Sequence, residues 1–116
     1  MRHTDPDMPI SEEELKRRVD HCHKVLKQAG VRTTHQRLVI FEEVARSSRH
    51  PDADAVYRAV RRRIPTISLD TVYRTLWLFK DLGLVATLGP SRERTRFDGN
   101  VRRHHHFICN RCGTAI

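Results

Sequence analysis

The residues best suited to chemistry lie near the end of the chain, in Arg102-Arg103-His104-His105-His106-Phe107-Ile108-Cys109-Asn110-Arg111-Cys112-Gly113. In a β-strand alternate side chains share a face, so a strand from His104 to Cys109 projects His104 and His106 together and turns His105 away. Two imidazoles placed in this way form a two-nitrogen clamp for a divalent metal. Asp98 can add a hard oxygen ligand, and His50 a further nitrogen. The same alternation also suits exposed polar residues on an edge strand.

Cys109-Asn110-Arg111-Cys112-Gly113 has the spacing of a zinc knuckle, whose tight turn points two thiolates at one ion. Zinc takes four ligands, so this pair is half a site. Completing it would require Cys22, histidines, another chain or residues beyond these 116. A thioredoxin-like redox role is disfavoured, because the pair lacks the strand-to-helix setting that activates one thiol at a helix N-terminus.

The elements that must carry these residues are legible from capping and periodicity. Residues 1–10 read as a loose charged tail. Ser11-Glu12-Glu13-Glu14 is a capping box, with Ile10 and Leu15 as a hydrophobic staple. Leu15, Val19, Cys22, Leu26 and Ala29 then recur at helical spacing until Gly30, which makes Cys22 a core residue first and a ligand second. Thr33-Thr34-His35-Gln36 starts a second helix with Leu38, Phe41 and Ala45 on one face. A third runs from Asp52 to Pro65, with Ala53, Val56, Tyr57, Val60 and Ile64 inward and Arg58, Arg61, Arg62 and Arg63 outward. Ser68 caps a fourth, with Val72, Leu76 and Phe79 buried and Gly83 as its stop. Two β-like runs follow, 84–88 and 94–98, joined by a loop containing Gly89-Pro90-Ser91.

Helices followed by a hairpin give the winged-helix order. The expected class is mostly α with a β wing: a winged helix-turn-helix domain over 11–98, a hinge at 99–103, and a further segment over 104–116 that opens with a strand. In such folds the second helix of the motif enters the major groove. That helix is the fourth here, leaving Thr71, Tyr73, Arg74 and Thr75 for the groove, with Arg74 suited to guanine and Tyr73 or Thr71 to a thymine methyl. Arg32, just before the second helix, is placed to reach phosphate. A formal charge of +8, from 22 Lys and Arg against 14 Asp and Glu, suits a polyanionic partner. The N-terminus lacks the apolar core of a secretion signal, and no apolar run approaches the roughly 18 residues needed to span a bilayer, so a cytoplasmic protein without membrane partners is expected.

Taken together, Gly30-Val31-Arg32-Thr33-Thr34-His35-Gln36-Arg37, His50-Pro51-Asp52-Ala53, Ser68-Leu69-Asp70-Thr71-Val72-Tyr73-Arg74-Thr75-Leu76, Arg96-Phe97-Asp98 and the His104 to Gly113 segment resemble the ferric uptake regulator family. The resemblance implies a homodimeric, metal-responsive bacterial repressor that binds a palindromic operator in double-stranded DNA, with residues 104–116 as the first strand and start of a truncated α/β dimerisation domain. It implies regulatory ligation of Fe2+ or Mn2+, with Zn2+ as a further candidate, by His50, Asp98, His104 and His106. It assigns Cys109 and Cys112 to half of a structural Zn2+ site, and Arg32, Tyr73 and Arg74 to DNA contact. Asp98, where iron-uptake members usually carry glutamate, resembles the peroxide-sensing branch, in which bound iron drives oxidation of a ligand histidine.

This ligand set spans two bodies, so a metal would fix the angle of the hinge and thereby the spacing of two recognition helices in a dimer. Two other readings stay open at this point. One is a metalloenzyme built on Asp98, His104 and His106 around an open metal position. The other is a metal-independent winged-helix interaction module in which the histidines are incidental.

Overall fold

Four short polar side chains set where the helices begin. In the computed structural model, which describes residues 10–47, 49–89, 95–99, 111–112 and 114–115, the helices are α1 (Glu12–Gln28), α2 (His35–Arg46), α3 (Ala53–Arg61) and α4 (Leu69–Asp81). Ser11, Thr34, Asp52 and Ser68 accept the backbone N–H groups of Glu14, Arg37, Ala55 and Thr71 at 3.0, 3.2, 2.9 and 3.1 Å. Each bond satisfies a donor that the first helical turn otherwise leaves open. The box expected at α1 is formed on one side only. The Glu14 carboxylate turns instead to Arg17 at 2.6 Å and Arg18 at 2.9 Å. Partial burial works to raise its pKa, but the bonds from Arg17 and Arg18 hold it below the usual carboxylate range.

α2 lies at the centre of the fold, packed by α1, α3, α4 and the wing. Its apolar face is accordingly wider than a single stripe: Val39, Ile40, Phe41, Val44 and Ala45 are all buried, whereas Leu38, expected inward, is only half-buried. α1 contributes Leu15, Cys22 and Leu26 to the core, and α3 contributes Val56 and Val60. α3 ends sooner than Pro65 suggests. The N–H groups of Arg63 and Ile64 both turn to the Val60 carbonyl, at 2.9 and 2.8 Å, and close the helix there. Arg63, expected on an outward basic face, reaches back to Glu42 at 2.8 Å and Glu43 at 3.1 Å on α2.

Gly83, at φ 77°, ends α4 and reverses the chain towards the wing. Leu84 and Val85, read as the start of a strand, are core residues whose N–H groups return to the Phe79 carbonyl. The strands themselves are shorter than the runs that announce them: β1 (Ala86–Leu88) pairs antiparallel with β2 (Arg96–Asp98), with Ala86 opposite Asp98 and Leu88 opposite Arg96. On the other edge of β2, Asp52 forms a bridge with Arg96, and the Phe97 N–H donates to the Pro51 carbonyl at 2.9 Å. The strip leading into α3 is thus a third rung of the wing sheet. Farther along, β3 (Arg111–Cys112) pairs antiparallel with β4 (Thr114–Ala115).

Gly99 follows β2 and is buried. A Cβ there would lie 3.0 Å from Ala45 Cα and 3.2 Å from Ala45 N, so the base of the wing is seated directly on the α2 backbone. Among the described residues no helix is long and apolar enough to cross a membrane.

Candidate DNA-binding face and metal centre

The face of α4 follows from which of its residues the core claims. Val72, Thr75, Leu76 and Phe79 are buried, so the first two turns present Leu69, Asp70, Tyr73 and Arg74. Arg74 is exposed and Tyr73 half-buried, in keeping with a groove-facing role. Thr75, expected at the groove, is not available to it. Thr71 is half-buried, and its hydroxyl accepts a bond from the Ser68 hydroxyl at 3.0 Å, which ties it to the helix cap. Leu69, 42% exposed, and Asp70 join the exposed face in place of Thr75. Three inward anchors fix a helix face only to within about one residue, which is why the neighbouring pair was missed.

Asp70 Oδ2 forms an ion pair with Arg74 Nε at 3.2 Å. Leu69, Asp70 and Tyr73, with Asp52, Ala53 and Asp54 from the start of α3 and Thr95 and Phe97 from the wing, line a cleft of about 480 Å3. The two helix starts that face DNA in a helix-turn-helix therefore share one opening. Arg32 is exposed in the α1–α2 connection, where its carbonyl accepts from Arg37 Nη1 at 2.8 Å.

Behind this face, rings connect α4 to the wing. Tyr73 meets Trp77 edge-on with centroids 6.1 Å apart, and Trp77 meets Phe97 of β2 at 5.8 Å and 81°. Such geometry sets the positive edge of one ring against the negative face of the next.

The residue after Phe97 is Asp98. Two places beyond the Asp52–Arg96 bridge, the same antiparallel register puts His50 opposite it, and His50 Nε2 lies 3.5 Å from Asp98 Oδ2. His50 reaches this position in the left-handed backbone region, at φ 54°. Only a few per cent of non-glycine residues adopt it, and a following proline further restricts the backbone.

Two donors each about 2.1 Å from one metal, and about 90–110° apart, are separated by about 3.0–3.4 Å. At 3.5 Å the pair lies just outside that range, and a side-chain shift of a few tenths of an ångström would bring both donors onto one divalent ion. A nitrogen and a carboxylate oxygen also make a mixed set suited to Fe2+, Mn2+ or Zn2+. His104, His106 and Cys109 lie outside the described residues, and Cys112 is described only through its place in β3. Among the described residues no three potential ligands cluster, so the structure brings together two of the expected four regulatory ligands. Cys22 belongs to the core, fully buried, its thiol pushed up to about 12 by burial.

A model of the ferric uptake regulator family matches residues 28–116. The chain belongs to the ferric uptake regulator family. Within this family, the peroxide-responsive repressor PerR of Staphylococcus aureus is 38% identical over 109 residues, covering 94% of this chain and 74% of the relative. PerR of Streptococcus pyogenes, solved as a peroxide-sensing gene regulator, superposes with a TM-score of 0.64 at 28% identity, over 84% of this chain and 62% of that one. A zinc-bound manganese uptake regulator gives 0.60 at 35% identity, over 66% and 58%. This chain thus spans about three-fifths of these two solved relatives. The four helices and two-stranded wing form the winged-helix domain that these regulators share.

Proposed function

We propose that this chain is a transcriptional repressor whose affinity for double-stranded DNA is set by a divalent metal at the base of its wing. The observation that carries the reading is His50, held in a strained backbone conformation opposite Asp98 at 3.5 Å. Strain of this kind costs on the order of 1–3 kcal/mol and persists where the surrounding structure and a functional requirement hold it. A packed surface residue needs no such device. Family membership and the 38% identity to a peroxide-responsive repressor support the regulatory reading over an enzyme, and favour a peroxide-responsive regulator over an iron-uptake one.

In this reading His104 and His106 complete the regulatory set, and Cys109 and Cys112 supply half of a structural zinc site. Residues 11–98 form the DNA-binding domain, 99–103 lead out of it, and 104–116 begin the dimerisation domain. The protein's own residues divide the work. His50 and Asp98 hold the α2–α3 connection against β2, while Arg74, Tyr73 and Thr71 face the groove and Arg32 reaches the phosphate backbone. His50 and Asp98 would hold the metal, Fe2+ or Mn2+ with Zn2+ as a further candidate, which would supply positive charge to offset the carboxylate. A homodimer would then present two recognition helices to a palindromic operator.

The experiment is a titration of fluorescent duplex DNA with the protein, in chelator and in Mn2+. Mn2+ should tighten binding in the wild type and have little effect in His50→Ala and Asp98→Ala. Metal-blind binding by the wild type would leave a plain winged-helix module.

A further inference from the structure

We propose that Asp70 is a specificity-determining residue: it holds the Arg74 guanidinium for a base edge and keeps the same helix face from closing on phosphate. The inference rests on α4 being the helix that enters the groove.

Stability does not account for the Asp70–Arg74 pair. Both side chains are 74% exposed. Exposed pairs at this spacing contribute little to stability. An acid in the first turn also suits the partial positive charge of a helix start, but any exposed first-turn position serves that purpose equally well. Position 70 is instead on the outward face, beside Tyr73 and one turn before Arg74. It shares the cleft between the two helix starts with Asp52 and Asp54. A chain of net charge +8 therefore concentrates carboxylates where a polyanion must approach.

The geometry explains what such a carboxylate does. Arg74 approaches Asp70 through Nε, at 3.2 Å. Its two terminal nitrogens remain as a parallel pair of donors, the arrangement that matches guanine O6 and N7. A free arginine loses considerable rotamer freedom on binding, and one already held by a neighbour loses less. The second carboxylate oxygen of Asp70 can accept from the N4 amino group of an adjacent cytosine. Phosphate offers nothing to a carboxylate and repels it. Asp70 therefore favours base edges over backbone, even though its charge lowers affinity for DNA as a whole.

The test selects binding sites from a randomised duplex library with wild type, Asp70→Ala, Asp70→Asn, Arg74→Ala and Asp54→Ala, then measures affinities for the selected and for scrambled duplexes. Wild type should select a motif with a guanine that Arg74→Ala no longer requires. Asp70→Ala should lose about tenfold in discrimination at that base pair. It should also bind scrambled duplex more tightly, with a steeper salt dependence, as the released arginine takes a phosphate. Asp70→Asn should fall between the two. Asp54→Ala removes the same charge from the cleft without touching Arg74, and should raise affinity for all duplexes while leaving the motif intact. An unchanged motif in Asp70→Ala overturns the proposal, as does an unchanged motif in Arg74→Ala. If the wild type selects no motif, the assignment of α4 to the groove itself falls. Exposure of both side chains makes folding of the variants straightforward to confirm by thermal melting.

Discussion

His50 has a left-handed backbone with a proline after it, an arrangement that costs free energy in the folded state. Glycine adopts that conformation without a steric penalty, so His50→Gly relieves strain while adding freedom to the unfolded chain, two effects of about 1 kcal/mol and opposite sign. Its melting temperature should therefore stay within a few degrees of wild type, while the Mn2+ dependence of DNA binding disappears. A glycine variant that keeps its metal response would show that His50 is no ligand. Cys22 invites a different test. Burial raises its thiol pKa to about 12, against about 8.5 in an unfolded chain. The folded state holds the proton, so this contribution is complete below pH 8.5 or so and is lost as pH rises towards 12. Cys22→Ala costs about 1 kcal/mol at neutral pH through the vacated volume. The gap in melting temperature between wild type and variant should narrow between pH 7 and pH 10; a constant gap would place the thiol in water.

Among the elements, the wing is seated closely on α2 at Gly99. At Gly99 a methyl group would press on Ala45 Cα and N, backbone atoms that cannot swing aside. Gly99→Ala should destabilise the domain by about 1–3 kcal/mol, or about 4–8 °C in melting temperature for each kcal/mol. It should also loosen metal binding, because Asp98 is the preceding residue; a variant with unaltered melting temperature would mean that the wing stands clear of α2. The sequence made some of these elements plain and hid others for a physical reason. Helix starts are local: Ser11, Thr34, Asp52 and Ser68 each bond a backbone N–H three residues on, so their positions could be read directly. The face of α2 was misjudged because it is packed from several sides, and a single-stripe template cannot anticipate that. His50 and Asp98 lie far apart in the chain, and their pairing depends on Pro51 and Asp52 joining β2, a non-local ladder with no mark in local spacing. The family resemblance suggested that they share a metal, and the register explains how they meet.

Across the described residues, the proposed metal pair and the proposed DNA face are two ends of one packed path. Asp98 follows Phe97, which touches Trp77, which touches Tyr73 beside Arg74 on α4. An ion held between His50 and Asp98 would act on β2, whose Phe97 packs edge-on against Trp77 of α4. If Mn2+ and DNA favour the same arrangement, their binding must be coupled, and linkage requires the effect to be reciprocal. The factor by which saturating Mn2+ tightens DNA binding must equal the factor by which DNA tightens Mn2+ binding. Coupling energies of this sort run to about 1–3 kcal/mol, or about 5- to 150-fold. Trp77 is the only tryptophan in the sequence, which gives the test its own reporter. Its emission should change as Mn2+ is added, and the change should be lost in Asp98→Ala. The midpoint of the wild-type titration should move to lower Mn2+ when duplex is present, by the same factor that Mn2+ lowers the dissociation constant for DNA. Equal midpoints with and without duplex would separate the two sites energetically, and the aromatic path between them would then serve packing alone.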